Sequence, residues 1–266
     1  PTYHTQDGFY NIQKYRETRS HGETLITYDD TWCLTTAVTL PDGCTTRTLD
    51  VDYRSFLPAA IEDANRNIQE ARYNAFGEPL VTSFHGTELG KPVGFDSLKT
   101  YVPPADRDPA IAIAAPKKAI GNFASAGFSD PFSWMGRLSR TAPPSPTWLA
   151  WARAEGFVLP SGHLCDRARQ HVARLENPDP NETILKQQLD TAQREPVYAV
   201  TLLADRYPGD AELQVRVSIV CLDGFGRTLQ TKQEVEPGKS WLVDENAELI
   251  LKPDGTPQEA EVPRRW

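Results

Sequence analysis

Turn signals recur about every ten residues through the first hundred positions of this chain, and that spacing constrains the fold more than any other feature. His21-Gly22, Pro41-Asp42-Gly43, Asp63-Ala64-Asn65-Arg66-Asn67, Asn74-Ala75-Phe76-Gly77 and His85-Gly86 punctuate runs rich in aromatic and β-branched residues. Proline fixes φ and glycine accepts φ > 0, so Pro41-Asp42-Gly43 is a turn with a mechanism. The runs at 9–15, 23–28, 31–40 and 44–53 are strand-length. Short strands joined by tight turns pair antiparallel, so the expected class is mainly β, built of antiparallel strands and hairpins.

The pattern changes between residues 104 and 196, where the period of two gives way to helical signals. Asp108-Pro109 reads as an N-cap with Pro at the first helical position, interrupted by Pro116. Residues 140–146 (RTAPPSP) read as an extended Pro-rich connector, and 148–157 and 163–175 as helices. Trp148 and Trp151 fall on one side of the first of these, where burial is the expected fate. Asp179-Pro180 opens the clearest helix, with Ile184, Leu185, Leu189 and Ala192 on one side and Pro196 ending it. From 197 strands return: 197–204 with both faces covered, then 215–221 and 228–235, with turns at 207–210, 223–226 and 252–255. The expected division is 1–103, a β segment; 104–196, a helical and Pro-rich insertion; and 197–266, a second β segment of the same continuous unit.

Composition removes whole classes of function. Lys+Arg number 28 against 36 Asp+Glu, a net charge of −8, so the chain lacks the basic face that nucleic-acid binding or a polybasic membrane anchor needs. Its longest mostly apolar stretch, 197–204, is strand-length and far short of a membrane span. No secretory leader opens the sequence, which reads as a piece of a longer polypeptide. Cys33, Cys44, Cys165 and Cys221 make no disulfide framework and are expected to be reduced apolar fillers, with Cys33 facing about position 52 across a hairpin rather than Cys44.

Two turns share one layout. Tyr73-Asn74-Ala75-Phe76-Gly77-Glu78 and Leu222-Asp223-Gly224-Phe225-Gly226-Arg227 each follow an apolar residue with Asn or Asp, two residues, Gly, a long charged residue and a strand. An Asx side chain caps the backbone at the first position and glycine takes the left-handed one, which fixes strand register. Two unrelated hairpins converging on good turn residues is the competing explanation. The structural residues expected here are Tyr73, Asn74, Gly77, Asp223, Gly224, Gly226 and Arg227.

The stretch Asp223-Gly224-Phe225-Gly226-Arg227-Thr228-Leu229-Gln230, with residues 204–210, 67–77, 82–88 and 132–137, resembles the Rhs/YD-repeat family. It looks most like the C-terminal part of the B component of bacterial insecticidal toxin complexes, the Tc toxins, from about Tyr28 to the end. Neither turn is a perfect YD repeat: Asn74 and Glu78 replace Asp and Arg in the first, and Leu222 replaces Tyr in the second. The resemblance implies a secreted complex in which the B component and a C component carrying a toxic C-terminal segment form a hollow β-shell. That shell docks on a pore-forming A component. This chain would be YD-repeat wall, neither catalytic nor inserted in a membrane. A wall of strands sealed edge to edge satisfies its backbone with little apolar core, and one cut from its neighbours exposes unpaired edges.

Rival chemistries are weaker. His163, Cys165 and His171 invite a metal, yet H-x-C-x5-H matches no zinc spacing and shows no fourth ligand. Asp205, Asp210 and Asp223 would suit an Asp-dependent hydrolase, but acids beside Pro and Gly form turns. Exposed Trp, Tyr and Asp would suit a carbohydrate-binding β module. No nucleophile elbow or dinucleotide fingerprint is present. The expectation is no catalytic, cofactor or metal residue.

Overall fold

The structure is a computed structural model that describes residues 1–104, 107–139, 142–192, 194–235, 237–246 and 248–262. Positions 140 and 141 of the expected Pro-rich connector lie outside the described residues. The fold is mostly antiparallel β with a few helices, and its contacts divide it into two compact units.

The first unit holds residues 1–128 and 201–217. Eight strands run as a meander, each antiparallel to the one before: β1 (Thr2–Tyr3), β2 (Ile12–Tyr15), β3 (Thr24–Tyr28), β4 (Thr35–Thr39), β5 (Thr45–Asp52), β6 (Leu57–Glu62), β7 (Ile68–Tyr73) and β8 (Pro79–Glu88). Strand β9 (Lys91–Gly94) folds back on the far end of β8, and the short helices α1 (Pro109–Ala114) and α2 (Pro116–Ile120) follow. Asp108 caps α1 by accepting from the Ala110 N–H, ahead of Pro109 at the first turn. Strand β10 (Ser125–Asp130) then pairs with β8 through Ser125↔Thr82 and Ala126↔Val81. The unit's buried apolar side chains begin at Ala59 and include Val81, Leu98, Ile120, Phe128, Leu202 and Val217. Residues 1–58 contribute none, and their only buried side chain is Thr24.

The second unit holds residues 129–200 and 218–266. Helices α3 (Pro146–Ala154), α4 (Asp166–Val172) and α5 (Pro180–Thr191) enclose Trp148, Ala152, Phe157, Val158, Leu164, Ala168 and Leu185, each 3% exposed or less. Burying a leucine such as Leu164 or Leu185 contributes about 2 kcal/mol relative to leaving it in water. Ser145 caps α3 and a full Asp179–Glu182 capping box opens α5. Strands β11 (Val197–Ala204) and β12 (Val215–Leu222) have halves in each unit; β12 pairs with β13 (Thr228–Gln233), and β14 (Gly238–Trp241) pairs with β15 (Glu259–Val262).

Several expectations need correction. Strand β2 starts at Ile12, not at position 9, because Phe9 and Tyr10 take positive φ and belong to a turn. The run at 31–40 loses its first four residues to a turn with Trp32 at φ 60°. The middle region is not free of strands: β10 escapes notice because Gly127 and its small neighbours carry no strand signal. A Cβ on Gly127 would lie 2.7 Å from the Pro79 carbonyl oxygen, so close packing demands the residue that hides the strand. The helix expected from 163 begins only at Asp166, since His163 and Leu164 bridge to Arg137 and Val158. In β11 only one face is covered: Val200 and Leu202 are buried while Thr201 and Leu203 are exposed. All four cysteines are free thiols, but Cys33 and Cys44 are exposed rather than fillers, and Cys33 sits outside the β4–β5 ladder.

Candidate functional site

The two matching turns close by the same hydrogen bonds. The Asn74 N–H donates to the Glu78 carbonyl at 2.9 Å, and the Gly77 N–H to the Asn74 carbonyl at 3.1 Å. Asn74 Oδ1 accepts from the N–H groups of Phe76 and Glu78 at 2.8 and 3.0 Å. In the second turn the Asp223 N–H donates to the Arg227 carbonyl at 2.9 Å, and Asp223 Oδ1 accepts from Phe225 and Arg227 N–H groups at 2.8 and 2.9 Å. Gly77 and Gly226 both sit at φ 79°, the left-handed conformation a Cβ penalises. Gly224 does not: its φ lies outside that region, and Ala75 stands at the same place in the first turn.

Beyond the backbone the turns differ. Asn74 Nδ2 donates to Glu78 Oε2 at 2.7 Å, whereas Arg227 Nε donates to Asp223 Oδ2 at 2.6 Å. Tyr73 donates its hydroxyl to the Pro58 carbonyl at 2.8 Å, tying its strand to β6; Leu222 has no hydroxyl to do so. The Arg227 backbone N–H, then its side chain, holds the Asp223 carboxyl below the usual carboxylate range.

Two further turns close in the same way: the one expected at residues 63–67, and one at Asp244 that the sequence reading did not include. Asp63 Oδ1 accepts from Asn65 and Asn67 N–H groups, both at 2.8 Å, and Asp63 N–H donates to the Asn67 carbonyl; Arg66 takes the left-handed position at φ 64°. Asp244 Oδ1 accepts from Asn246 and Glu248 N–H groups, both at 2.9 Å. The signal is an Asx residue alone, without the glycine that marks the other two.

Buried polar ties hold the long connections. Glu70, its side chain 3% exposed, accepts from the Leu98 N–H at 2.7 Å and from Ser97 Oγ and His85 Nε2 at 3.1 Å each. Burial raises the Glu70 pKa, but the Leu98, Ser97 and His85 hydrogen bonds outweigh it and leave the pKa below its usual value. Arg107 bonds the Tyr101 hydroxyl, the Leu80 carbonyl and the Gly127 carbonyl while lying 4.9 Å over the Phe128 ring. Sequence reading missed both, because their partners lie 6–28 residues away.

The rival groups are engaged in hydrogen bonds within the fold. His163 is buried, with Nε2 2.9 Å from Asp130 Oδ2 and Nδ1 2.9 Å from Ser161 Oγ; His171 pairs instead with Glu182 Oε1 at 2.8 Å. Cys165 is the N-cap residue of α4. Asp205 accepts from the Gln214 N–H, and Asp210 accepts from the Glu212 N–H and pairs with Arg206. Trp148 is buried with Nε1 on the Asn181 carbonyl. One face of β4–β6 forms an apolar groove of about 220 Å³ lined by Leu34, Ala37, Val38, Val51, Pro58 and Ile61.

Meandering antiparallel strands, Asx turns setting their register and a helical insertion define a β-wall of the shell type. No family model matches the sequence, and neither does any curated protein. Solved structures do match. A crystal structure of TcdB2-TccC3-TEV superposes with a TM-score of 0.71 and 27% identity over 99% of this chain and 12% of that chain. TcdB2-TccC3-Cdc42 gives 0.72 and 26% over 97% of this chain and 13% of that one. TcdB2-TccC3 without its hypervariable C-terminal region gives 0.72 and 25% over 98% and 13%. These neighbours are Tc toxin complexes, in agreement with the resemblance to the Rhs/YD shell region. The chain spans 12–13% of the length of these three chains, and the similarity supports a toxin-complex shell role.

Proposed function

We propose that this chain is a non-catalytic wall segment of a hollow β-shell that encapsulates, and helps deliver, a cytotoxic polypeptide in a secreted Tc-type toxin complex. Its partners are then a C component carrying the toxic segment and the A component on which the shell docks. The observation that carries the reading is the absence of any buried apolar side chain in residues 1–58, five strands long, within a chain that superposes along its length on toxin-complex structures. A sheet without a core of its own is stabilised by neighbouring wall, not by itself. The hydrogen bonds that Asp205, Asp210, Asp223, His163 and His171 make to backbone groups and side chains of the fold support a structural use of these residues rather than catalysis. Among the described residues no helix is long and apolar enough to cross a membrane.

The test is to express the full-length protein with its C-component partner, image the particle and treat it with protease. A closed cavity whose content resists cleavage is the expected result. An open particle whose partner segment is cut as fast as it is alone would defeat the proposal.

A further inference from the structure

In the β1–β8 meander, successive turns fall on alternate rims of the sheet. One rim carries the turns at 4–11, 29–34, 53–56 and 74–78; the other carries those at 16–23, 40–44, 63–67 and 89–90. The first rim holds Phe9, Tyr10, Trp32, Tyr53, Phe56 and Phe76, and the second holds no Phe, Tyr or Trp. Phe9, Phe56 and Phe76 are 73%, 59% and 88% exposed. Phe9, Tyr10, Trp32 and Phe56 also have φ between 52° and 60°, a conformation that bulky residues adopt only under strain. Trp32 packs on His4 and Tyr28, with ring centroids 4.5 and 6.0 Å away, and on the other rim Leu89 is likewise exposed at a positive φ. At Phe9, Tyr10 and Phe56, glycine or asparagine would relieve both the strain and the exposure, so neither turn geometry nor folding explains those aromatic rings.

Charge separates the rims too. The aromatic rim has Asp7, Asp29, Asp30 and Glu78 against Arg54 alone, and Arg54 is already paired with Asp52 at 2.7 Å. The other has Glu17, Glu23, Asp42 and Asp63 against Arg16, Arg19 and Arg66. The Asx turn at 223–227 shows what an exposed ring of this kind accepts: the Arg227 guanidinium lies 5.7 Å over Phe225. At the matching place beside Phe76 the sequence has Glu78, so a cation there has to come from elsewhere.

We propose that the aromatic rim is a docking edge for a protein surface rich in arginine and lysine, whose cations stack on the exposed rings while the rim carboxylates supply the complementary field. The proposal stands independently of whether the wall encloses anything.

The test uses the whole chain and a fluorescent deca-arginine peptide, with binding followed by anisotropy. Phe9→Asn, Phe56→Asn and Phe76→Asn together leave every charge in place. The expected result is binding weakened at least about tenfold by the triple substitution, with thermal unfolding at the same temperature or higher. Phe56→Gly alone, compatible with its left-handed φ, should show the same pair of effects at smaller size. Unchanged affinity would mean that charge alone attracts the peptide, and would overturn the proposal. So would no binding, a clear drop in unfolding temperature for Phe56→Gly, or a rim that instead binds a neutral hexasaccharide or a second copy of the chain.

Discussion

The helical cluster of residues 146–191 and the strands of residues 1–58 solve the same problem in opposite ways. The cluster buries seven side chains to 3% exposure or less and closes its helices with local caps. The strands bury no apolar side chain and rely on ladders, Asx turns and whatever lies beside them. The difference teaches where stability resides: one region carries its own, and the other borrows it.

The largest effect expected from this contrast is Trp148→Ala, which should cost about 3–5 kcal/mol in chemical denaturation of the helical unit. A loss below 1 kcal/mol would show that the cluster is not a core. Glu70→Ala strips the buried Leu98 N–H of its acceptor and should cost about 1–3 kcal/mol. Because the folded Glu70 pKa is lowered, its contribution is present above the unfolded carboxylate value and fades as pH falls through the lower folded value. The Ala variant should therefore lose less stability on acidification than the wild type.

Gly226→Ala comes next. It forces a Cβ into φ 79° and should cost about 1–2 kcal/mol, whereas Gly224→Ala should be nearly silent. Equal costs for the two glycines would contradict the turn assignment. Leu49→Ala, on a half-exposed strand residue, should change stability by less than about 0.5 kcal/mol. A core-sized loss there would erase the contrast between the regions.

The subtlest effect is a pH response that separates the two matched turns. Asp223, with its lowered pKa, supports its turn above the unfolded carboxylate value of about 3.9 and gives that support up on acidification below it. Asp223→Asn should make amide exchange at Phe225 and Arg227 insensitive to acid in that range, as Asn74 already does for its own side-chain cap. Acid sensitivity retained in the variant would place the titration elsewhere.

What can be read in the sequence is what is local. The Asn74 and Asp223 turns and the Asp179–Glu182 capping box have all their partners within four residues, so residue type and spacing carry them. The helices α1 and α5 are legible for the same reason. Strand β10 is not, because the contact that selects Gly127 is made by Pro79, nearly fifty residues earlier. Glu70 and Arg107 are equally silent: a charged residue within or beside a strand pattern reads as solvated until its distant partners are known. The Asp63 turn is legible as a turn in Asp63-Ala64-Asn65-Arg66-Asn67, but that Arg66 takes its left-handed position is not, since no propensity suggests it.

Hydrogen exchange over residues 1–58 tests the central claim most directly, comparing the chain alone with the full-length protein assembled with its partner. The account predicts fast exchange through β1–β5 in isolation and strong protection in the assembly, with the helical cluster protected in both. Equal, strong protection of those strands in the isolated chain would contradict it, for they would then be a sheet that needs no neighbours.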